Sequence, residues 1–270
     1  MKRILLVVLV TMLTPTIVSA EITRKVVEKY ADIGNERKTL PGTPKTVLYL
    51  DSKGKEVAKE LYDERGNVTQ TTGAIPDGIV NEYYETGALL AKYNYKNGKL
   101  EGLSKGYFDN NTLRGEWNYK NGFLDGTVKE NYESGNVRYQ LNYKNNKRHG
   151  TCEVFLESGK PAVSWEYKDG MREGINRVYY DNGMVHFELN YEDNERNGIA
   201  REYYPNGKLK AEYNYENGIR EGSTKHYYET GELQSVETYS NGKKIDRKEY
   251  ARDGKLVNEK NYLLEGKKGD

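Results

Sequence analysis

GIAREYYPNGKLKAEYNYENGIRE, residues Gly198 to Glu221, is the unit from which most of this chain is built. Copies of it run from Gly78 to Ile245. Their leading glycines are Gly78, Gly102, Gly126, Gly150, Gly174, Gly198 and Gly222, always 24 residues apart. Asp246 takes the next slot and opens a shortened copy. A fixed period of this size marks a repeat architecture, in which each unit buries its apolar face only against its neighbours.

Positions within a unit are counted from its leading glycine, which is position 0. Position 9 is Gly six times and Asn once (Asn111), and position 20 is Gly five times and Asn twice (Asn146, Asn194). Gly and Asn are the residues that best tolerate positive φ. Both slots lie between alternating stretches, so they predict two hairpin turns per unit. In Leu209 to Tyr215 the odd positions are apolar or aromatic and the even ones polar, as in a strand with one wet face. No stretch between turns is long enough for a helix of ordinary length. The fold class that follows is all-β: an elongated, single-layer antiparallel meander of tandem hairpins.

A four-residue first turn sets the register. Position 6 then faces position 11, position 2 faces 15, and the leading glycine faces the tyrosine that every full copy carries at position 17. A ring lying over that glycine would shield its backbone. On the wet face position 3 opposes position 14, which pairs Lys105 with Glu116, Arg177 with Glu188 and Arg201 with Glu212. Such exposed pairs are worth only ~0.2–1 kcal/mol. Their use here is that they agree with the register drawn from the apolar residues.

Runs such as YYETGALLAKYNYKNGKLEG (Tyr83 to Gly102) and YYPNGKLKAEYNYENGIREG (Tyr203 to Gly222) resemble the bacterial variant of the MORN repeat. The resemblance implies one hairpin per repeat in an elongated twisted sheet. It also implies a scaffold role, with membrane or lipid links in some relatives and an antitoxin label in others, and it carries no catalytic residues over. The third copy (Asn131, Asn146) and the fourth (Phe155, Leu156, Pro161) depart most from the pattern.

Outside the full repeats, residues 1–20 read as a signal peptide. Lys2 and Arg3 precede an apolar run, and Val18-Ser19-Ala20 offers small residues for cleavage. That places the protein outside the cytoplasm: periplasmic, secreted or at the cell surface. Residues 21–45 are polar and read as a linker or loosely ordered segment. Residues 46–77 hold two degenerate hairpins with slightly longer turns around Gly54 and Gly66. Residues 246–270 carry the shortened repeat and a lysine-rich tail, which suits a protected sheet end.

Charged residues make up 31% of the chain and the net charge is +1, so no overall field draws in nucleic acid. Hydrophobic residues are only 36%, too few for a thick core but enough for a thin sheet. Tyr numbers 25 against 4 Phe, which suits rings that are covered while their hydroxyls reach water. His149, His186, His226 and Cys152 lack metal-ligand spacing, and no catalytic motif is present, so neither an enzyme nor a cofactor or metal site is expected. His186 and His226 are placed on the wet face or near loops, and Cys152 among packing positions. The expected role is a non-catalytic exported scaffold. It would hold a protein partner or envelope component through its β surface, with carbohydrate or lipid headgroups as the alternative ligand. Self-association is a further outcome of an uncovered tyrosine face. The candidate partner residues are those at position 15: Tyr93, Trp117, Trp165 and Tyr213.

Overall fold

The structure is a computed structural model that describes residues 21–27, 30–33, 36–39 and 45–262. The signal peptide read at 1–20 lies outside the described residues. One open 25-stranded sheet holds nearly all of the chain, and a two-strand ribbon, Tyr30–Ile33 with Glu36–Thr39, stands apart from it. Each repeat supplies two antiparallel strands. In the first these are Gly78–Tyr83 and Leu89–Lys96. The second strand of each repeat pairs onward with the first strand of the next, as Lys92 does with Lys105.

The register is the expected one over most of its length. Gly78 faces Tyr95, Val80 faces Tyr93, and Asn81 faces Lys92, with the same pairing in later repeats. The three wet-face ion pairs are present: Lys105–Glu116 at 2.8 Å, Arg177–Glu188 at 2.9 Å and Arg201–Glu212 at 3.2 Å. Position 2 is buried in all seven repeats: Val80, Ser104, Val128, Cys152, Asn176, Ala200 and Thr224 are at most 3% exposed. The slot holds only small side chains whatever their polarity, so its volume matters more than its chemistry. Cys152 is one of them, a free and buried thiol whose pKa burial pushes up.

Near the first turn the expected register fails. Position 5, not position 6, faces position 11, as in Tyr83 with Leu89 and Tyr203 with Leu209. Position 12 is the extra residue of a β-bulge in every repeat. The turn itself is closed by Tyr84 N–H donating to Ala88 O and Gly87 N–H donating to Tyr84 O. The N-terminal hairpins close the same way, Asp51 N–H to Lys55 O and Asp63 N–H to Asn67 O, so their turns are no longer than the others. A bulge beside a turn changes which face a side chain takes, and alternation alone could not reveal it.

The turn slots take left-handed backbone as expected, with φ of 66° at Asn111, 63° at Asn146 and 72° at Asn194. Position 19 does so too, from Asn97 (51°) to Asn241 (49°). A two-residue type I′ turn needs positive φ at both central residues. Gly207 has φ 82°. Gly207→Val is therefore expected to cost about 1–3 kcal/mol, with Asn111→Gly near neutral, as chemical denaturation would show.

The leading glycines have a different purpose from the one expected. All seven have positive φ, from 69° at Gly222 to 111° at Gly126. At the six from Gly102 to Gly222 a Cβ would meet the position-16 side chain of the preceding repeat, an asparagine at five of them and Glu166 at Gly174, and not a ring. Among the described glycines, those that a ring lies over are Gly106 and Gly115. Added Cβ atoms at Gly106 and Gly115 would stand 2.9 and 2.8 Å from the Trp117 ring.

The segment expected as a linker begins with a strand, Ile22–Val27. It inserts between Lys45–Leu50, antiparallel, and Gly78–Tyr83, parallel, and so interrupts the simple meander. Ile22 joins Val47, Tyr49, Ala58, Ile75, Val80 and Tyr95 in a buried cluster. Tyr49 and Tyr95 lie three strands apart, about 14 Å in a flat sheet. Their hydroxyls nevertheless meet at 3.1 Å across the two strands between them. The polar composition of 21–45 hid this, because only alternate residues of Ile22–Val27 are needed for the core.

Candidate functional site

The tyrosine face is tied together between repeats as well as within them. The position-6 hydroxyl donates to the position-5 carbonyl of the next repeat: Tyr84 to Tyr107 O at 2.8 Å, Tyr180 to Tyr203 O at 2.7 Å, Tyr204 to Tyr227 O at 2.8 Å. Phe108 and Leu156 lack the hydroxyl for this bond.

From the third repeat on, a second ladder runs along this face. Position 22 is Leu100 and Leu124 in the first two repeats, then Arg148, Arg172, Arg196 and Arg220. Each guanidinium lies over the position-17 ring of the following repeat: 5.4 Å for Arg148 on Tyr167, Arg172 on Tyr191 and Arg196 on Tyr215, and 5.3 Å for Arg220 on Tyr239. Arg148 also donates to the Tyr167 hydroxyl at 3.1 Å and Arg220 to that of Tyr239 at 3.2 Å. Cation–π contact of this kind contributes about 0.5–1 kcal/mol per pair at exposed sites. It also holds each arginine in one place while leaving part of it in water.

Buried carboxylates complete the face. The Glu202 side chain is 11% exposed and accepts from Lys210 Nζ and Tyr213 Oη, both at 2.7 Å. Glu237 is 7% exposed and accepts from Lys244 at 2.6 Å and Tyr239 at 2.9 Å, with Arg247 at 3.3 Å. Tyr93 donates to Glu82 at 2.9 Å in the same way. Burial works to raise both the Glu202 and Glu237 acids. The hydrogen bonds from lysine and tyrosine outweigh it and hold them below the usual carboxylate range.

The bulge explains how these groups meet. It turns position 12 onto the tyrosine face, which carries Lys210 to Glu202. It also lays His186 against Tyr180, 4.1 Å between centroids, with its Nε2 3.8 Å from Glu202. His226 stands edge-on to Tyr213 and 3.9 Å from Glu237. Of the two placements expected for the histidines, the one near loops holds: His186 is the second residue of Val185–Glu192 and His226 the last but one of Gly222–Tyr227, each beside the first turn, and neither is on the wet face. Burial lowers the pKa of both, against the pull of the neighbouring glutamates.

All four shifts act in one direction on stability. A group whose folded pKa is depressed stabilises the fold above its unfolded value and loses that contribution as pH falls. The histidine part is expected to fade below about pH 6.5 and the glutamate part below about pH 4.3. Melting temperature followed from pH 7.5 to pH 3.5 should fall in two stages, and Glu202→Gln with Glu237→Gln should flatten the lower one.

The four residues singled out at position 15 lie in repeats one, two, four and six. Each is half-buried in its own repeat. Tyr93 is held by Glu82 and lies 5.1 Å below Arg24. Trp117 covers Gly106 and Gly115. Trp165 stands opposite Cys152. Tyr213 bonds Glu202 and carries Arg220 4.7 Å from its ring centre. Sequence reasoning missed the arginines of position 22. Their recurrence one residue before the acidic or polar position 23 was the available signal.

Among the described residues no group of three or more His, Cys, Asp or Glu could hold a metal ion. A family model described as MORN repeat variant matches seven segments, residues 76–97, 100–121, 124–145, 148–169, 172–193, 196–217 and 220–241, together more than half of the chain. No curated protein matches. A chain in a solved structure titled "Crystal Structure of TcdB2-TccC3-Cdc42" is similar over 89% of this chain at 11% identity and a TM-score of 0.17. This chain spans 16% of that one, and a likeness so slight carries no argument.

Proposed function

The chain belongs to the MORN repeat variant family, and from that premise we propose that it is an exported, non-catalytic scaffold that holds a protein partner on its tyrosine face. The observation that carries this reading is the ladder of Arg172, Arg196 and Arg220 set between Tyr167, Tyr191, Tyr215 and Tyr239. Tyrosine and arginine are the residues richest in binding energy at protein interfaces. Held by rings on the array, these arginines lose little freedom on binding. A partner presenting carboxylates or planar groups at the repeat spacing fits the row.

The test is capture by the immobilised chain from envelope and secreted protein fractions, run beside glycan and lipid arrays. Arg196→Ala with Arg220→Ala, and Trp165→Ala, are expected to reduce protein capture more than they lower the melting temperature. Loss of stability with unchanged capture would make these residues core. Signal on the glycan or lipid arrays alone would move the reading to the carbohydrate or headgroup alternative. Export is tested by mass spectrometry of the mature protein, which is expected to begin at Glu21.

A further inference from the structure

The second turn of each repeat forms one long edge of the sheet. Position-20 amides bond the position-22 carbonyl of the preceding repeat, as Gly122 does Leu100 O and Gly218 does Arg196 O, both at 2.8 Å. The turns are thereby stacked in one row, with positions 18 and 21 paired and facing the same way, as in Lys144 with Lys147 and Glu192 with Glu195.

Two patterns run along this row. Position 21 is charged in the odd-numbered repeats and apolar in the even-numbered ones. There it is Phe123, Met171 and Ile219, which are 50%, 42% and 50% exposed. Position 18 is lysine through the fourth repeat and glutamate in the fifth and sixth. No ion pair joins Lys120, Lys144, Lys147, Glu195 or Glu216 to another described residue. Single exposed apolar residues are ordinary. Three at every second repeat, between unpaired charges that change sign at the middle, form a pattern with its own complement.

That complement is the same row reversed. Turned end for end about an axis through the fourth repeat, a second copy brings Glu192 and Glu195 against Lys144 and Lys147. It brings Glu216 and Ile219 against Lys120 and Phe123, and Met171 against its own counterpart, with the two Lys168 side chains beside it as the one like-charged pair of the stretch. The first and seventh repeats have no such match, so the paired stretch is repeats two to six. We propose that two copies of this chain associate antiparallel through this turn edge, about a two-fold axis at Met171. The contact is isologous, so every match away from the axis is made twice. It uses residues away from the tyrosine face and does not depend on that face holding a partner.

Sedimentation velocity on the full chain tests this. The unaltered chain is expected to sediment as a dimer at low salt and to shift toward monomer as salt screens the pairs. Lys144→Glu with Lys147→Glu places like charges across the axis, and so does Glu192→Lys with Glu195→Lys. Each double variant is expected to be monomeric. These positions are exposed, so circular dichroism should show an unchanged fold. An equal mixture of the two variants is expected to recover the dimer, because acidic rows then meet basic ones. A monomeric unaltered chain, or dimeric reversal variants, would overturn the proposal. Binding of the unaltered monomer to heparin, lost on lysine reversal, would overturn it too and assign the lysine row to an anionic polymer.

Discussion

Arg24→Met is expected to destabilise the N-terminal end of the array by about 3–5 kcal/mol. Arg24 Nη1 lies 2.5 Å from Glu82 Oε2, and the two side chains are only 14% and 9% exposed. Removing the guanidinium leaves the Glu82 carboxylate covered, with the Tyr93 hydroxyl as its remaining hydrogen bond among the described residues. The cost comes from that stranded charge more than from the lost attraction. Arg24→Met combined with Glu82→Leu should therefore recover most of the loss. Urea denaturation of the single and double variants measures both. An Arg24→Met chain as stable as the parent would mean that Ile22–Val27 is not docked in the sheet.

Gly73→Ala should cost about 2–4 kcal/mol, the sum of a left-handed alanine and an overpacked contact. Gly73 has φ +75°, and a Cβ there would stand 2.2 Å from the Val57 carbonyl oxygen and 3.0 Å from Ala58 Cα. Both are backbone atoms of the paired strand Glu56–Tyr62, so no rotamer change relieves them. Gly54 is the control. Its φ is +76°, yet nothing lies within 4 Å of an added Cβ. Gly54→Ala carries the conformational cost alone, about 1–2 kcal/mol. Equal losses at the two positions would show that the close approach at Gly73 does not exist.

The central sheet was legible because its signals are local and repeat. Gly or Asn at positions 9 and 20 carries the turn, and alternation between them carries the strand. Asn111, Asn146 and Asn194 substitute for glycine only where φ is positive, which is why three exceptions strengthened the reading. What escaped was non-local or broke the period of two. The bulge at position 12 inverts alternation for one residue, and so hid the approach of His186 and Lys210 to Glu202. The docking of Ile22–Val27 depends on strands that come later in the chain.

The candidate site was less legible than the fold. A tyrosine face could be read from positions 15 and 17. Its arginines and buried glutamates belong to neighbouring repeats, or to opposite sides of a hairpin, so their contact requires the register. Glu82, Glu130 and Glu202 sit at position 4, opposite position 13 on the tyrosine face. They are tolerated there because tyrosine hydroxyls and basic side chains satisfy them, as Tyr139 does Glu130 at 2.5 Å.

The claim on which all else rests is that every repeat is hydrogen-bonded to the next in one sheet. Cross-strand nuclear Overhauser contacts measure it directly. Lys105 is predicted to show backbone contacts with both Glu116, in its own repeat, and Lys92, in the one before. Glu188 should do the same with Arg177 and Arg201. Contacts confined to Lys105–Glu116 and Arg177–Glu188 would mean separate hairpins strung along a chain, and would contradict the continuous array.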